Sequence, residues 1–415
     1  MAGTRGEILF LSHRVPFPPN RGDKIRSHHI LRHLASLAPV HVATFADDPQ
    51  DMAEEAELAA LAASHCLIQR RKGLIRAGLE AVASGQPVSL TAFHSAELAA
   101  YVRQVLAERP IRTIYAYSGQ MGQYITADFA GRVVFDFVDV DSAKFEAYAE
   151  TGTGPRRWID AREGRLLGAE EARLALRSEV SLLVSNEEAA LFRARLAPCS
   201  RSVCDVRALR NGIDSQLFDP ALGQPAPQML ACSGPRIIFT GQMDYAPNMA
   251  AALRVIERLL PALRAQFPEA SFHVVGRNPP PELLAFHGKD GAHVWGAVDD
   301  IRAWLAAADL ALVPLELARG VQNKVLEAMA MAVSVVLTPS AATGIGGNDA
   351  QHYAVADSDA DLIGRTAALL SAPAEAKAMG LEARRFVVEG LSWQATLAPL
   401  GAMLGLPEGA ARHAA

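Results

Sequence analysis

Three charged side chains gather in the stretch "ARGVQNKVLEAMAM" (318–331): Arg319, Lys324 and Glu327. They follow the apolar run "DLALVPL", whose length and content predict a buried parallel strand. A strand that hands over to a helix through Gly320 and Val321 leaves free backbone N–H groups, and the positive end of the helix dipole, at the C-terminal edge of the sheet. An anion fits there. Lys324 in the first turn adds a point charge and Arg319 a planar donor fork, a combination suited to a diphosphate. Glu327, one turn further, cannot hold an anion, but a carboxylate accepts paired hydroxyl hydrogen bonds of the kind a ribose diol donates. The spacing therefore predicts a nucleoside-diphosphate pocket. The plainer alternative makes Lys324 and Glu327 a surface i,i+3 pair.

Other loops at strand ends carry weaker signals. After "EILFLS" comes "SHRVPFPPNRGDKIRSHH", where Gly22 would let backbone approach a ligand and a helix begins near Asp23. The alternative is an ordinary turn with Asp23 as helix cap. After "RVVFDF" stand Asp139 and Asp141, of which Asp139 is expected to orient substrate or act as base and Asp141 either to assist or to cap the next helix. "IIFTGQMDYAPN" and "FHVVGRNPPPEL" are strand-glycine-helix junctions that bring Gly241 and Gly276 to the predicted pocket. No nucleophile-elbow or HExxH pattern occurs, so nucleophilic hydrolysis and zinc chemistry lack support.

The elements that must position these residues alternate regularly. Short apolar runs alternate with longer amphipathic ones, the rhythm of parallel sheets covered by helices. Expected strands are "EILFLS", "VHVATF", "RTIYAY", "RVVFDF" and "VSLLVS" in the first half, then "RIIFTG", "SFHVVG", "HVWG", "DLALVPL" and "SVVLTP". "NGIDSQLFDPALGQPAPQMLACSGP" between them reads as a linker, which puts the boundary near residues 206 to 234. A chain of 415 residues suits two large domains, and a net charge of -5 gives no reason to expect nucleic acid. The four cysteines show no paired CxxC spacing and read as reduced, mostly buried thiols. No signal peptide or membrane span is evident, so a cytoplasmic location is expected. In "RRKGLIRAGLEAV" (70–82) four basic residues flank Leu74, Ile75, Leu79 and Val82 at helical spacing; that helix either packs on the core or rests on an anionic membrane. The Arg-rich stretch from Pro155 to Glu179 reads as a solvated helix laced with ion pairs.

Taken together, "RNGIDSQLFDP", "FTGQMDYAPN", "FHVVGR", "WGAVDDIRAWLAAADLALVPL" and "ARGVQNKVLEAMAM" resemble the retaining glycosyltransferases of family four. "PFPPNRGDKIRSHHILRHLA", "DFVDVDS" and "VSNEEAALF" are similar to the sugar transferases of exopolysaccharide loci associated with the PEP-CTERM/exosortase system. The resemblance spans nearly the whole chain. It implies an α/β GT-B fold: two Rossmann-like doubly wound domains facing a cleft, at 1–205 and 206–385, with a C-terminal helix at 386–405 returning to the first. It also implies a hexosyl transfer with no metal and no cofactor, from a UDP- or GDP-linked sugar to a glycan or lipid-linked glycan, with possible peripheral membrane contact. Gly22, Gly241, Gly276, Gly320, Val321, Lys324 and Glu327 are then expected at the donor, and Asn20, Asp23, Lys24 and Asp141 on the acceptor side. Asp139, Arg319 and Lys324 are expected to act in catalysis.

Two departures stand out. The family's first carboxylate, eight positions before Glu327, is here Arg319, and its Arg and Lys after the first C-domain strand are here Gln242 and Pro247. Arg319 and Lys324 are therefore expected to take over the diphosphate. A nucleotide-sugar epimerase on the same scaffold, or a silent sugar-nucleotide-binding protein, are the alternative functions.

Overall fold

The computed structural model describes residues 6–318 and 320–406. By its contacts the chain divides into one unit of Met1–Asn211 with Thr396–Ala415, and a second of Gly212–Ala395.

The first unit holds a parallel sheet of β1 (Glu7–Ser12), β2 (Val40–Ala46), β3 (Ser64–Gln69), β4 (Ile111–Tyr117), β5 (Arg132–Val138), β6 (Val180–Leu183) and β7 (Val206–Ala208), in the order β3-β2-β1-β4-β5-β6-β7. The second holds β8 (Arg236–Thr240), β9 (Ser271–Val275), β10 (Ala292–Gly296), β11 (Leu310–Val313), β12 (Val335–Leu337) and β13 (Ala354–Val355), in the order β10-β9-β8-β11-β12-β13. Each sheet reverses its winding beside its first strand, between β1 and β4 and between β8 and β11. These are the switch points at which ligands bind in doubly wound sheets. The central strands are apolar throughout because both faces are covered: all of β2, and β1 from Ile8 onward, is buried.

All ten expected strands are present, and the three that join them, β3, β7 and β13, are edge strands. An edge strand is covered on fewer sides and need not be a continuous apolar run, and β3 ("SHCLIQ") is only half-buried along its length. Other expectations need correction. The thiols are free but not mostly buried: Cys199 is exposed and Cys66, Cys204 and Cys232 are half-buried. The Gly/Pro-rich linker is an ordered part of the second unit, where Ile213 bridges Ser392, Ala226 donates to Ala303 and Met229 is buried. The Arg-rich helix, Gly154–Arg177, is not merely solvated, because Glu163 and Glu171 are buried and accept hydrogen bonds from main-chain N–H groups of Val88, Ser89 and Ser142. The expected C-terminal helix at 386–405 is not one helix: the Pro373–Phe386 helix runs on through a wider turn at Val387–Leu391, and the short helices Trp393–Leu397 and Leu400–Met403 follow. Its end ties to the first unit where Thr113 donates to the Leu404 carbonyl at 3.2 Å and Arg132 to that of Met403.

Inside the first unit lies a buried ion pair. Arg26, from the helix Gly22–Leu37, and Asp136, from β5, are 1% and 0% exposed, with Nη2 and Oδ2 2.9 Å apart. Their remaining capacity is used: Tyr115 donates to Asp136 at 2.8 Å, and Arg26 donates to the Leu209 carbonyl and to Asn211. Removing one member strands a buried charge, which typically costs ~3–5 kcal/mol. Asp136→Ala is therefore expected to lower unfolding free energy in urea by about that amount, and Asp136→Leu with Arg26→Met by clearly less.

Candidate functional site

In the second unit a cavity of about 640 Å³ opens at the C-terminal ends of the strands. Its wall comes from the end of β8 and the loop after it (Thr240, Gly241, Gln242), the loop after β9 (Gly276, Arg277), the segment after β10 (Ala297, Val298, Ile301) and the helix Asn323–Ala330 (Lys324, Glu327), with Val321 leading in. The loops meet closely. A Cβ on Gly276 would lie 1.6 Å from the Gly241 carbonyl oxygen, so only hydrogen fits there. At Gly241 a Cβ would come within 2.9 Å of both Asn248 and Lys324. Gly320 has φ 67°, a left-handed turn that glycine adopts without strain, and the helix proper starts three residues later.

Lys324 does not form the surface pair that spacing alone allowed. Its ammonium donates to Asn248 Oδ1 at 2.5 Å and lies 4.4 Å from the centre of the Phe239 ring. Asn248 is itself fixed by donating to the Gln242 carbonyl at 2.9 Å. Burial pulls Lys324 down to about 8, against the opposing effect of Glu327. Burial likewise pushes Glu327 up to about 7, against the effect of Lys324. Both groups therefore titrate near neutrality, which is common where charge is put to use. A larger cavity of about 710 Å³ lies at the opposite ends of these strands, lined by Ser233–Arg236, Asp309 and Ala332–Ser334. That edge of a parallel sheet faces helix C-termini and is the less suitable one for an anion.

In the first unit the corresponding edge is built from ion pairs. Arg14, just past β1, donates to Asp23 at 2.7 Å and to Asp47 at 2.6 Å; Arg21 reaches both carboxylates, and Arg70, just past β3, grips Asp47. Although partial burial works to raise it, hydrogen bonds from His13 and Arg14 hold Asp23 well below the usual carboxylate range. Asp23 lies in the first turn of its helix, and Arg21 is the cap residue. Gly22 and Asn20 are exposed, and no atom crowds Gly22, so a side chain would fit there. Lys24 needs correction as an acceptor-side cation: it is buried, donating to the Phe17 carbonyl at 3.0 Å and to Asp51. Asp139 and Asp141 both accept from Lys144, at 2.8 and 3.2 Å, and Asp141 opens its helix without a capping hydrogen bond. Gly22 therefore belongs to the first unit and not to the lining of the cavity around Lys324, Glu327, Gly241, Gly276 and Val321. Arg319 lies outside the described residues.

Residues 234–372 match the family described as Glycosyl transferases group 1. The second unit carries a glycosyltransferase domain. No curated protein matches the chain. Among solved structures, HepE of Anabaena in complex with UDP and glucose superposes with a TM-score of 0.61 at 14% identity, covering 97% of this chain and 100% of that one. Sucrose-phosphate synthase of Thermosynechococcus elongatus gives 0.59 at 16%, covering 96% and 98%. WaaG, a glycosyltransferase involved in lipopolysaccharide biosynthesis, gives 0.55 at 18%, covering 96% and 100%. All three share the two-sheet GT-B fold.

Within the glycosyltransferase domain, Gln242 lines the cavity, whereas Pro247 sits in the first turn of the Ala246–Arg254 helix. Two residues that went unnoticed in the sequence complete the site: Asn248, which holds the Lys324 ammonium, and Arg277, an exposed cation on the cavity wall. The strand-glycine junction "FHVVGRN" pointed toward Arg277; nothing local pointed to Asn248. Gly276→Ala must push the loops after β8 and β9 apart. The expected result is a loss of ~1–3 kcal/mol in thermal or urea unfolding, the range for overpacked sites, together with loss of ligand binding in the cavity.

Proposed function

We propose that the chain transfers a sugar from a nucleoside-diphosphate sugar to a glycan acceptor, with the donor in the cavity of the second unit. The observation that carries this reading is Lys324: a lysine in the first turn of a helix, held by a neutral amide and, among the described residues, with no carboxylate hydrogen-bonded to its ammonium, in a domain matched to glycosyltransferases. A diphosphate supplies the missing negative charge and accepts from the free N–H groups of the helix start. Glu327 accepts from ribose hydroxyls, and Arg277 supplies the second cation beside or in place of Arg319. Uridine is the first choice of base, since HepE was solved with UDP and with UDP-glucose.

In the reaction the bond from the anomeric carbon to the phosphate oxygen breaks and a bond to the acceptor oxygen forms on the same face, giving retention. The acceptor's hydroxyl proton passes to the leaving phosphate oxygen, so no protein nucleophile is required. Lys324 stabilises the charge that develops on the diphosphate. Asp139 orients the reacting hydroxyls, and Asn20, Asp23 and Asp141 serve the acceptor side. A lipid-linked precursor of an exopolysaccharide is the acceptor we favour; the PEP-CTERM/exosortase association rests on the N-terminal motifs of the sequence.

Titration calorimetry with UDP, GDP and UDP-glucose tests the donor site. Lys324→Met is expected to weaken diphosphate binding ~10–100-fold, the range of a hydrogen bond to a charged group, without altering the fold by circular dichroism. Undiminished affinity in that variant removes the basis of the reading. The pH dependence has a definite sign. Below about 7 Glu327 takes up a proton and loses its capacity to accept a hydroxyl pair, and above about 8 Lys324 loses its charge. Binding of UDP is therefore expected to be strongest between those values, and Glu327→Gln should flatten the acid limb and, because Glu327 raises Lys324, move the alkaline limb to lower pH. Labelled donor converted without any acceptor would indicate an epimerase instead.

A further inference from the structure

The helix Leu74–Ser84 of the first unit packs the wrong way round for its sequence. Its buried residues are Ala77 and Ala81, while Leu74, Ile75, Leu79 and Val82 are 72%, 84%, 70% and 68% exposed. Core packing of those four, one of the two expectations for this helix, is thus ruled out. The ridge continues onto the neighbouring Gly154–Arg177 helix, where Trp158 is 67% exposed and Ile159 49%. Arg162, one turn beyond Trp158, donates to the carbonyls of Ala81 and Gln86 and so joins the two helices. Leu74 and Ile159 line a shared cavity of about 400 Å³, with Phe93, Phe145, Arg14 and Arg70 further in. Apolar surface of this extent on a chain in solution marks a docking face.

The charges around the ridge identify what docks. Residues 70–84 carry Arg70, Arg71, Lys72 and Arg76 against one carboxylate, Glu80; residues 154–166 carry Arg156, Arg157, Arg162 and Arg165 against Asp160 and Glu163. Arg70 is taken up by Asp47 and Arg162 by the carbonyls between the helices, but Arg71, Arg76, Arg156, Arg157 and Arg165 are exposed while Asp160 and Glu163 are buried, so positive charge is concentrated here in a chain whose net charge is -5. A second copy of the chain docking face to face would bring like charges together. We propose that this ridge seats the first unit on an anionic lipid surface, with Leu74, Ile75, Leu79, Val82 and Trp158 in the interfacial layer and the arginines at the phosphates. The cavity at Leu74 and Ile159 then opens at the membrane. This accords with a lipid-borne acceptor but does not depend on the transfer reaction.

Co-sedimentation of the full chain with phosphatidylcholine vesicles, with and without one-third phosphatidylglycerol, tests the proposal apart from activity. Binding is expected only to the anionic vesicles and should weaken as salt rises. Ile75→Ser with Leu79→Ser should reduce the partition coefficient ~10-fold or more, as should Arg71→Gln with Arg76→Gln, because apolar burial and charge attraction both contribute. These side chains are exposed, so circular dichroism and UDP binding should match the parent. Equal partition of parent and apolar variant overturns the proposal, as does binding independent of lipid charge. A dimer in sedimentation velocity that the apolar substitutions dissociate also overturns it, making the ridge a contact between copies.

Discussion

Lys324 keeps its charge where burial opposes it, and much of the second unit is arranged around that fact. A desolvated ammonium needs compensation, and its direct contacts are dipoles: the Asn248 amide oxygen, itself oriented by its bond to the Gln242 carbonyl, and the face of Phe239, with the Glu327 carboxylate acting from further off. The compensation is incomplete, and burial pulls the ammonium down to about 8, so it is still charged at neutral pH but more easily deprotonated than a solvated lysine. The two glycines make the arrangement possible. Gly276 lets the loops after β8 and β9 touch, and Gly241 leaves room for the Asn248 and Lys324 side chains to meet. An arriving anion would replace poor solvation with a direct charge partner, a gain available because, among the described residues, no carboxylate is hydrogen-bonded to the ammonium.

The first unit solves the same electrostatic problem differently. Arg14, Arg21 and Arg70 converge on the ends of its strands, but Asp23 and Asp47 lie among them and accept from all three. Cations already satisfied in this way offer an anion little, since it would have to compete with internal pairs. A rim of interlocked donors and acceptors suits a neutral, hydroxyl-rich ligand. This difference, unpaired charge in one unit and paired charge in the other, supports placing the phosphorylated substrate in the second and the sugar acceptor in the first.

What the sequence disclosed follows the range of the interactions involved. Lys324 and Glu327 were legible because strand, glycine and helix start lie within a few residues, and their geometry is set locally. The same holds for Gly241 and Gly276. Asn248 was not legible, since its contact with Lys324 spans 76 positions, and the Lys24–Asp51 pairing spans 27. A lysine that balances a buried carboxylate looks, in sequence, like one that waits for a ligand. The strands of both sheets were legible except at three of the four edges, β3, β7 and β13, where partial exposure or shortness breaks the apolar run. The Leu74–Ser84 helix misled for another reason. Its periodicity marked two faces but not which was inside, and close packing selected the small alanine face over the large aliphatic one.

The buried Arg26–Asp136 pair connects the core of the first unit to the C-terminal edge of its sheet. Ser118 and Val138, at the ends of β4 and β5, have φ of 76° and 70°, and for a β-branched residue such as Val138 this is a strained conformation. Asp136 restrains both: its main-chain carbonyl accepts from Ser118 N–H at 2.8 Å, and its side chain accepts from Val138 N–H at 3.1 Å. Val184 closes the arrangement by donating to the Val138 carbonyl at 2.7 Å. The turn thus fixed leads directly into Asp139. An apolar pair of similar volume could fill the space of Arg26 and Asp136 at little cost in stability, but it would offer no acceptor to the Val138 amide. The ion pair therefore serves position: it holds a strained turn in place, and with it the carboxylate at the strand's end.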